Sequence, residues 1–303
     1  MQNIDLQAVS AMDLRQRKQW VAQCESDFER QFIPAFDLVL KQGVQILFLA
    51  GPSCSGKTTG TKKLCEHMRR FQKEVVMVST DDFFLPVEMA PKNTDGTPNY
   101  ESFDFIDSDE LLTVVNAIAE GKSYRMPFFD FKSKARRLPH EAKQATGREL
   151  IIVEGIHALN DKFLKECSHL SAAGIYICPG ENLSLDGRIL LEKDDIRFLR
   201  RMVRDYKHRN ASTLETCRMW ENVLEGEDLF ISPFIKNADV FVNSTFAYEP
   251  FVIRDQAIAR LEEIPDDSIF RFKAGSLKER LNRLFSLPAQ LVPEDSLLNE
   301  FLR

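Results

Sequence analysis

The run Val44-Gln45-Ile46-Leu47-Phe48-Leu49-Ala50 passes directly into Gly51-Pro52-Ser53-Cys54-Ser55-Gly56-Lys57-Thr58, and a helical pattern starts immediately behind it. The first segment has the length and the β-branched and aromatic content of a buried parallel strand. In the second, Gly51 and Gly56 permit the backbone turns that aim successive N–H groups at one small volume. The helix that follows adds the positive end of its dipole, so strand, loop and helix together make an anion-binding unit. At this spacing Lys57 can place its ammonium on the β- and γ-phosphates of a nucleotide, and the Thr58 hydroxyl can ligate Mg²⁺. Gly51, Ser53, Cys54, Ser55, Gly56 and Thr59 complete the expected cradle. The motif arises by chance in roughly one chain in a hundred of this length, so its position between a strand and a helix decides the reading. ATP and Mg²⁺ are the cofactors it predicts.

Further apolar runs alternate with helical patterns. Glu74–Ser79, Leu150–Gly155, Gly174–Cys178 and Asp239–Val242 read as strands, and Thr58–Phe71, Asp109–Ala119 and Asp195–Arg209 as helices. Such alternation implies an α/β fold with a central parallel sheet covered by helices on both faces. Pro86, Pro91, Asp95-Gly96 and Pro98 mark a long irregular stretch between them, of a length that is often functional. The expected organisation is a helical preface over residues 1–43, interrupted at Pro34, a nucleotide-binding domain over 44–249 and a helical extension over 250–303.

Composition narrows the partners. With 44% hydrophobic and 28% charged residues, the chain falls among ordinary globular proteins. Its formal net charge of -6 gives no electrostatic footing for nucleic acid. No run approaches a membrane span, and the charged first 25 residues leave no room for a signal peptide. Six cysteines without a CxxC pair suggest reduced thiols rather than zinc or disulfides, so a cytoplasmic protein is expected.

In a doubly wound sheet, residues just past the carboxyl ends of the strands face the ligand crevice. The second strand ends in Ser79-Thr80-Asp81-Asp82, which offers Asp81 or Asp82 as the carboxylate that orients an acceptor hydroxyl and takes its proton. Either could equally cap a helix or form a turn. Glu154, closing an apolar strand, is better placed for the metal. Along Asp195–Arg209, Ile196, Leu199, Met202, Val203 and Tyr206 share one helical face, and Arg197, Arg201, Arg204 and His208 share another. The basic face is either solvated or a lid whose guanidinium groups neutralise a transferred phosphoryl group, with Arg197 and Arg201 the candidates. Tyr100 and the cluster Phe128-Phe129-Asp130-Phe131 either stack on a base or fill a core.

Taken in order, GPSCSGKTT, STDDFF, NYESFDFID, MPFFDFKSKARR, IIVEGIHALN and RFLRRMVRDYKHR resemble the motifs of the uridine kinase and phosphoribulokinase family of P-loop kinases, over about Ile46 to Tyr248. TCRMWENVLEGEDLFISPF and the ending LVPEDSLLNEF resemble its bacterial nucleoside-kinase branch. The resemblance implies a P-loop NTPase fold of the nucleoside-monophosphate-kinase-like kind, three layers around the parallel sheet. It implies Asp81 as catalytic base and Glu154 as a Mg²⁺-site residue. It places Tyr100, Glu101 and Phe129 on the nucleoside, and Arg197, Arg201 and Arg204 in the lid. The sequence departs from animal-type uridine-cytidine kinases at the base-reading positions, where Phe129 replaces a tyrosine and Lys134 a histidine.

The activity expected is ATP-dependent phosphorylation of a pyrimidine nucleoside, uridine or cytidine, at its 5′-hydroxyl. The partner is thus a small nucleoside-like molecule, and the family resemblance also admits a homo-oligomer. The alternatives are a kinase for another small hydroxylated metabolite, such as a sugar phosphate or a pantothenate-like acid, and a nucleotide-binding regulatory protein that has lost catalysis.

Overall fold

The protein is described by a computed structural model that covers residues 3–93, 96–130 and 133–302. Asp95, of the expected turn, and Phe131, of the expected aromatic cluster, lie outside the described residues. The five apolar runs form one wholly parallel sheet in the order Val240–Asn243, Ala172–Cys178, Ile46–Ala50, Leu150–Glu154, Val75–Ser79. Its centre is the phosphate-loop strand, and each of that strand's five residues is buried.

The strand alternation explains why both faces must be covered. Leu47 and Leu49 point into one apolar cluster, while Ile46, Phe48 and Ala50 point into a second on the opposite face. The first cluster takes the loop helix Lys57–Arg70, the helix Lys193–His208 and residues from both ends of the chain. The second takes the helix Ser108–Ala119 and the irregular segment before it. This is the three-layer α/β arrangement that the sequence pattern implies.

The ends of the chain fold as helices, with one addition. Leu14–Arg30 starts at a reciprocal capping box of Asp13 and Gln16, and Ile33–Gln42 carries Pro34 in its first turn, where a missing N–H costs nothing. Ahead of them Asn3–Asp5 pairs in parallel with Asn182–Leu185, which forms an antiparallel hairpin with Arg188–Leu191. That small sheet went unread in the sequence because its strands are only three and four residues long. After the core, Glu249–Glu262, Arg271–Asn282 and the short turn Asn299–Leu302 return the chain to the first cluster. All six cysteines are free.

Candidate active site

The carboxyl ends of three neighbouring strands assemble the site. Ser79 and Glu154 stand opposite each other in the ladder register, and the Ser79 hydroxyl donates to the Glu154 carboxylate at 2.8 Å. Behind the central strand, Gly56 in left-handed conformation (φ 91°) opens the loop helix, which includes Lys57, Thr58 and Thr59 in its first turn. Lys57 Nζ donates to the Pro52 carbonyl at 3.0 Å, so its ammonium lies back along its own loop. Thr58 is exposed and Glu154 buried.

The acids feel one another and the lysine. Burial, reinforced by the neighbouring Asp81 charge, pushes Glu154 up from 4.5 to about 7, while Lys57 and the Ser79 hydroxyl pull it back. Burial also raises Glu101, with Arg201 and Lys57 opposing that shift and Asp81 adding to it. Asp81, Glu101, Glu154 and Lys57 therefore share one electrostatic neighbourhood. Asp82 is occupied differently: it accepts the backbone N–H of Phe129 at 3.1 Å and so holds the strand Phe128–Asp130 against the end of Val75–Ser79.

A raised carboxyl pKa carries a sign for stability. From about pH 4.5 to about 7 the folded chain keeps a proton on Glu154 that the unfolded chain has released, so folded stability contributed by this group is lost as pH rises through that window. In metal-free buffer, Glu154→Gln is expected to shrink the fall in Tm across that range. Thermal unfolding of both forms in EDTA checks it, and identical pH profiles would count against the assignment.

The arginines are not a solvated face. Arg197 and Arg201 are buried, and both reach the loop: Arg197 Nε donates to the Ser53 carbonyl at 3.4 Å and Arg201 Nη1 to Ser53 Oγ at 3.1 Å. Carboxylates hold them there. Arg197 Nη1 lies 2.6 Å from Glu227, and Arg201 lies 3.3 Å from Asp205 and 4.0 Å from Glu101. Arg204 pairs with Asp205 at 2.7 Å. Glu101 closes on the helix Thr213–Phe230 at Gly226, where any Cβ would fall 2.5 Å from that of Glu101.

Sequence reasoning missed Arg200. Fully buried, it donates two 2.6 Å bonds to Glu249 and one each to the carbonyls of Cys54 (3.1 Å) and Ser244 (2.7 Å). Tyr206, read as part of the apolar face, is 47% exposed with Arg260 stacked over its ring at 3.8 Å. That apolar stripe ends at the surface one turn earlier, after Val203.

Two of the expected acceptor residues, Phe129 and Tyr100, are linked through the stacked rings of Phe84 and Phe105. Phe129 is buried, its ring edge-on to Phe84 at 5.5 Å, and Tyr100 is edge-on to Phe105 at 5.6 Å. Lys134 occupies the exposed turn between Phe128–Asp130 and Ala135–Arg137, in left-handed conformation (φ 53°). Among the described residues no group of three or more His, Cys, Asp and Glu could hold a metal. Mg²⁺ at a phosphate site is carried by one or two protein oxygens, with water and substrate phosphates supplying the rest. Glu154 and the Thr58 hydroxyl suit that donor set.

The family model described as "Phosphoribulokinase / Uridine kinase family" matches residues 46–247. The chain belongs to that family. It is accordingly an ATP-dependent kinase, and family membership carries the general use of ATP and Mg²⁺. The chain is 28% identical over 205 residues to a uridine kinase of Clostridium tetani, covering 65% of this chain and 85% of the relative. It is 30% identical over 200 residues to a uridine kinase of Brevibacillus brevis, covering 65% and 83%. A solved structure described as a possible uridine kinase from Bacillus stearothermophilus superposes with a TM-score of 0.47 at 17% identity, over 71% of this chain and 97% of that one. Among the described residues no helix is long and apolar enough to cross a membrane.

Proposed function

We propose that this kinase transfers the γ-phosphoryl group of ATP to the 5′-hydroxyl of a pyrimidine nucleoside, uridine or cytidine. The observation that carries the reading is the shared neighbourhood of Asp81, Glu154, Glu101 and Lys57 at the mouth of the phosphate loop. Asp81 orients the acceptor hydroxyl and takes its proton, and Glu101 and Tyr100 hold the acceptor. Lys57, Arg197 and Arg201 meet the charge that spreads over the phosphoryl oxygens in the transition state. Most of the rate then comes from positioning and preorganised charge. Thr58 and Glu154 would hold Mg²⁺, which would supply neutralisation of phosphate charge.

The ring of Phe129, packed on Phe84 and lacking a hydroxyl, favours a second reading in which the acceptor is another small hydroxylated metabolite. A site without a hydrogen-bonding group discriminates poorly between acceptors that differ in one such group. A panel of nucleosides, sugar phosphates and pantothenate-like acids, read by coupled ADP release, separates the two. Uridine and cytidine are expected to give turnover, and phosphorylation of non-nucleosides alone would favour the second reading. Sedimentation of the purified chain tests the homo-oligomer that the family resemblance admits, and limited proteolysis tests the division at residues 43 and 249.

A further inference from the structure

The last eleven described residues are fastened across the base of the phosphate loop. Val292, Leu297, Leu298, Phe301 and Leu302 are buried, and Ser296 Oγ shares a 3.2 Å hydrogen bond with the buried Tyr248 hydroxyl. Lys63, on the loop helix, bridges Asp295 at 2.7 Å and Glu29 at 2.6 Å. Lys207 donates to the Leu302 carbonyl, and the Arg200 guanidinium sits 5.4 Å from the Phe301 ring centroid. Leu297 lies directly on Gly56: a Cβ there would come within 1.8 Å of Leu297 Cδ1, so any other residue at this position would have to displace the Leu297 side chain.

This anchoring delivers one carboxylate to the loop. Glu300 Oε1 accepts the Thr59 backbone N–H at 2.9 Å and also the Thr59 hydroxyl. Thr59 is the third residue of the loop helix, and its N–H belongs to the four that a helix leaves unpaired at its start. Those N–H groups and the helix dipole are what a phosphate-binding loop offers an anion. A nucleotide phosphate seated on Thr59 and the Glu300 carboxylate cannot both take the same donors, and two anions there repel.

We propose that Glu300 is an intramolecular competitor for the nucleotide: its carboxylate fills a phosphate position at Thr59 and yields when a nucleoside triphosphate binds, so this residue sets ATP affinity. The inference rests on the reading of Thr59 as part of the nucleotide cradle. The apolar anchors, Phe301 and Leu302 of the same turn included, keep the segment in place throughout, so only the Glu300 side chain needs to move.

Glu300→Gln keeps the size of the side chain and its anchors while removing the charge. Calorimetric titration with a non-hydrolysable ATP analogue is expected to give a Kd about 2- to 30-fold tighter than that of the parent, the range of a carboxylate at a helix start. The ligand-free Tm is expected to stay level or fall slightly. These opposite signs separate competition from bracing, since a purely structural glutamate would weaken both. Unchanged or weaker binding by the variant, with the parent binding normally, overturns the proposal alone. Absence of binding by both forms overturns the nucleotide reading of the loop and this inference with it. Glu300→Ala, which removes the acceptor as well as the charge, should tighten binding at least as much.

Discussion

Replacing Asp81 by asparagine is expected to lower kcat by about 10²–10⁴-fold while ATP affinity changes by no more than a few-fold. The loss corresponds to roughly 3–5 kcal/mol of barrier, the share that a positioned general base contributes. Position and electrostatics both single out this residue. It lies at the carboxyl end of the strand Val75–Ser79, in the short turn Thr80–Phe83, and its charge is felt by Glu154 and Glu101. Asparagine keeps the shape and can still orient a hydroxyl, but it cannot accept the proton. Asp82 supplies the control, because its carboxylate holds the Phe129 N–H and an asparagine oxygen can do the same. Asp82→Asn should therefore leave turnover within a few-fold of the parent. Steady-state rates by coupled ADP release, with calorimetric titration of ATP, measure both variants. Undiminished turnover in Asp81→Asn would remove Asp81 from the role, and equal losses in the two variants would point to a general disturbance of this turn.

The features that local pattern encodes were legible in the sequence, and those that depend on distant partners were not. Five parallel strands could be located because each is a short apolar run next to a turn or helix signal, and their ends are where Asp81 and Glu154 belong. The helix Lys193–His208 shows the limit of this reasoning. Spacing placed Arg197, Arg201 and Arg204 on a common face, yet nothing local tells whether such a face meets water or protein. What decides it is Glu227, Glu101 and Asp205, two of which come from elsewhere in the chain. Arg200 falls one position outside that face, beside Leu199 and Val203, and its partner Glu249 is 49 positions downstream, at the start of the helix Glu249–Glu262 and the last residue before the expected helical extension. The contact between Thr59 and Glu300 spans 241 positions and has no periodic signature at all. Short hairpins such as Phe128–Asp130 with Ala135–Arg137 escape for another reason, since three residues are too few to show alternation.

Arg200→Met is expected to destabilise the fold by about 3–5 kcal/mol, because it strands the Glu249 carboxylate in a fully buried site. Burial already raises the Glu249 pKa, with Arg200 as the opposing charge, so losing the arginine leaves that carboxyl to be neutralised or to stay charged at large cost. At the usual slope for a chain of this size the fall in Tm is roughly 10 °C. Adding Glu249→Gln should recover part of it, since the double variant buries no unpaired charge, and the non-additivity measures the coupling. The second consequence concerns the loop. Arg200 ties the Cys54 carbonyl to the Ser244 carbonyl, and Cys54 is a non-glycine residue held at φ 62°, a conformation that persists only where its surroundings enforce it. Without the guanidinium that constraint goes, so KM for ATP should rise even at temperatures where the variant is fully folded. Chemical denaturation of the parent, both single variants and the double variant, with ATP kinetics well below each Tm, separates the two effects. A double variant that recovers stability yet keeps the raised KM would assign the Cys54 bond to the loop and the Glu249 pair to the fold.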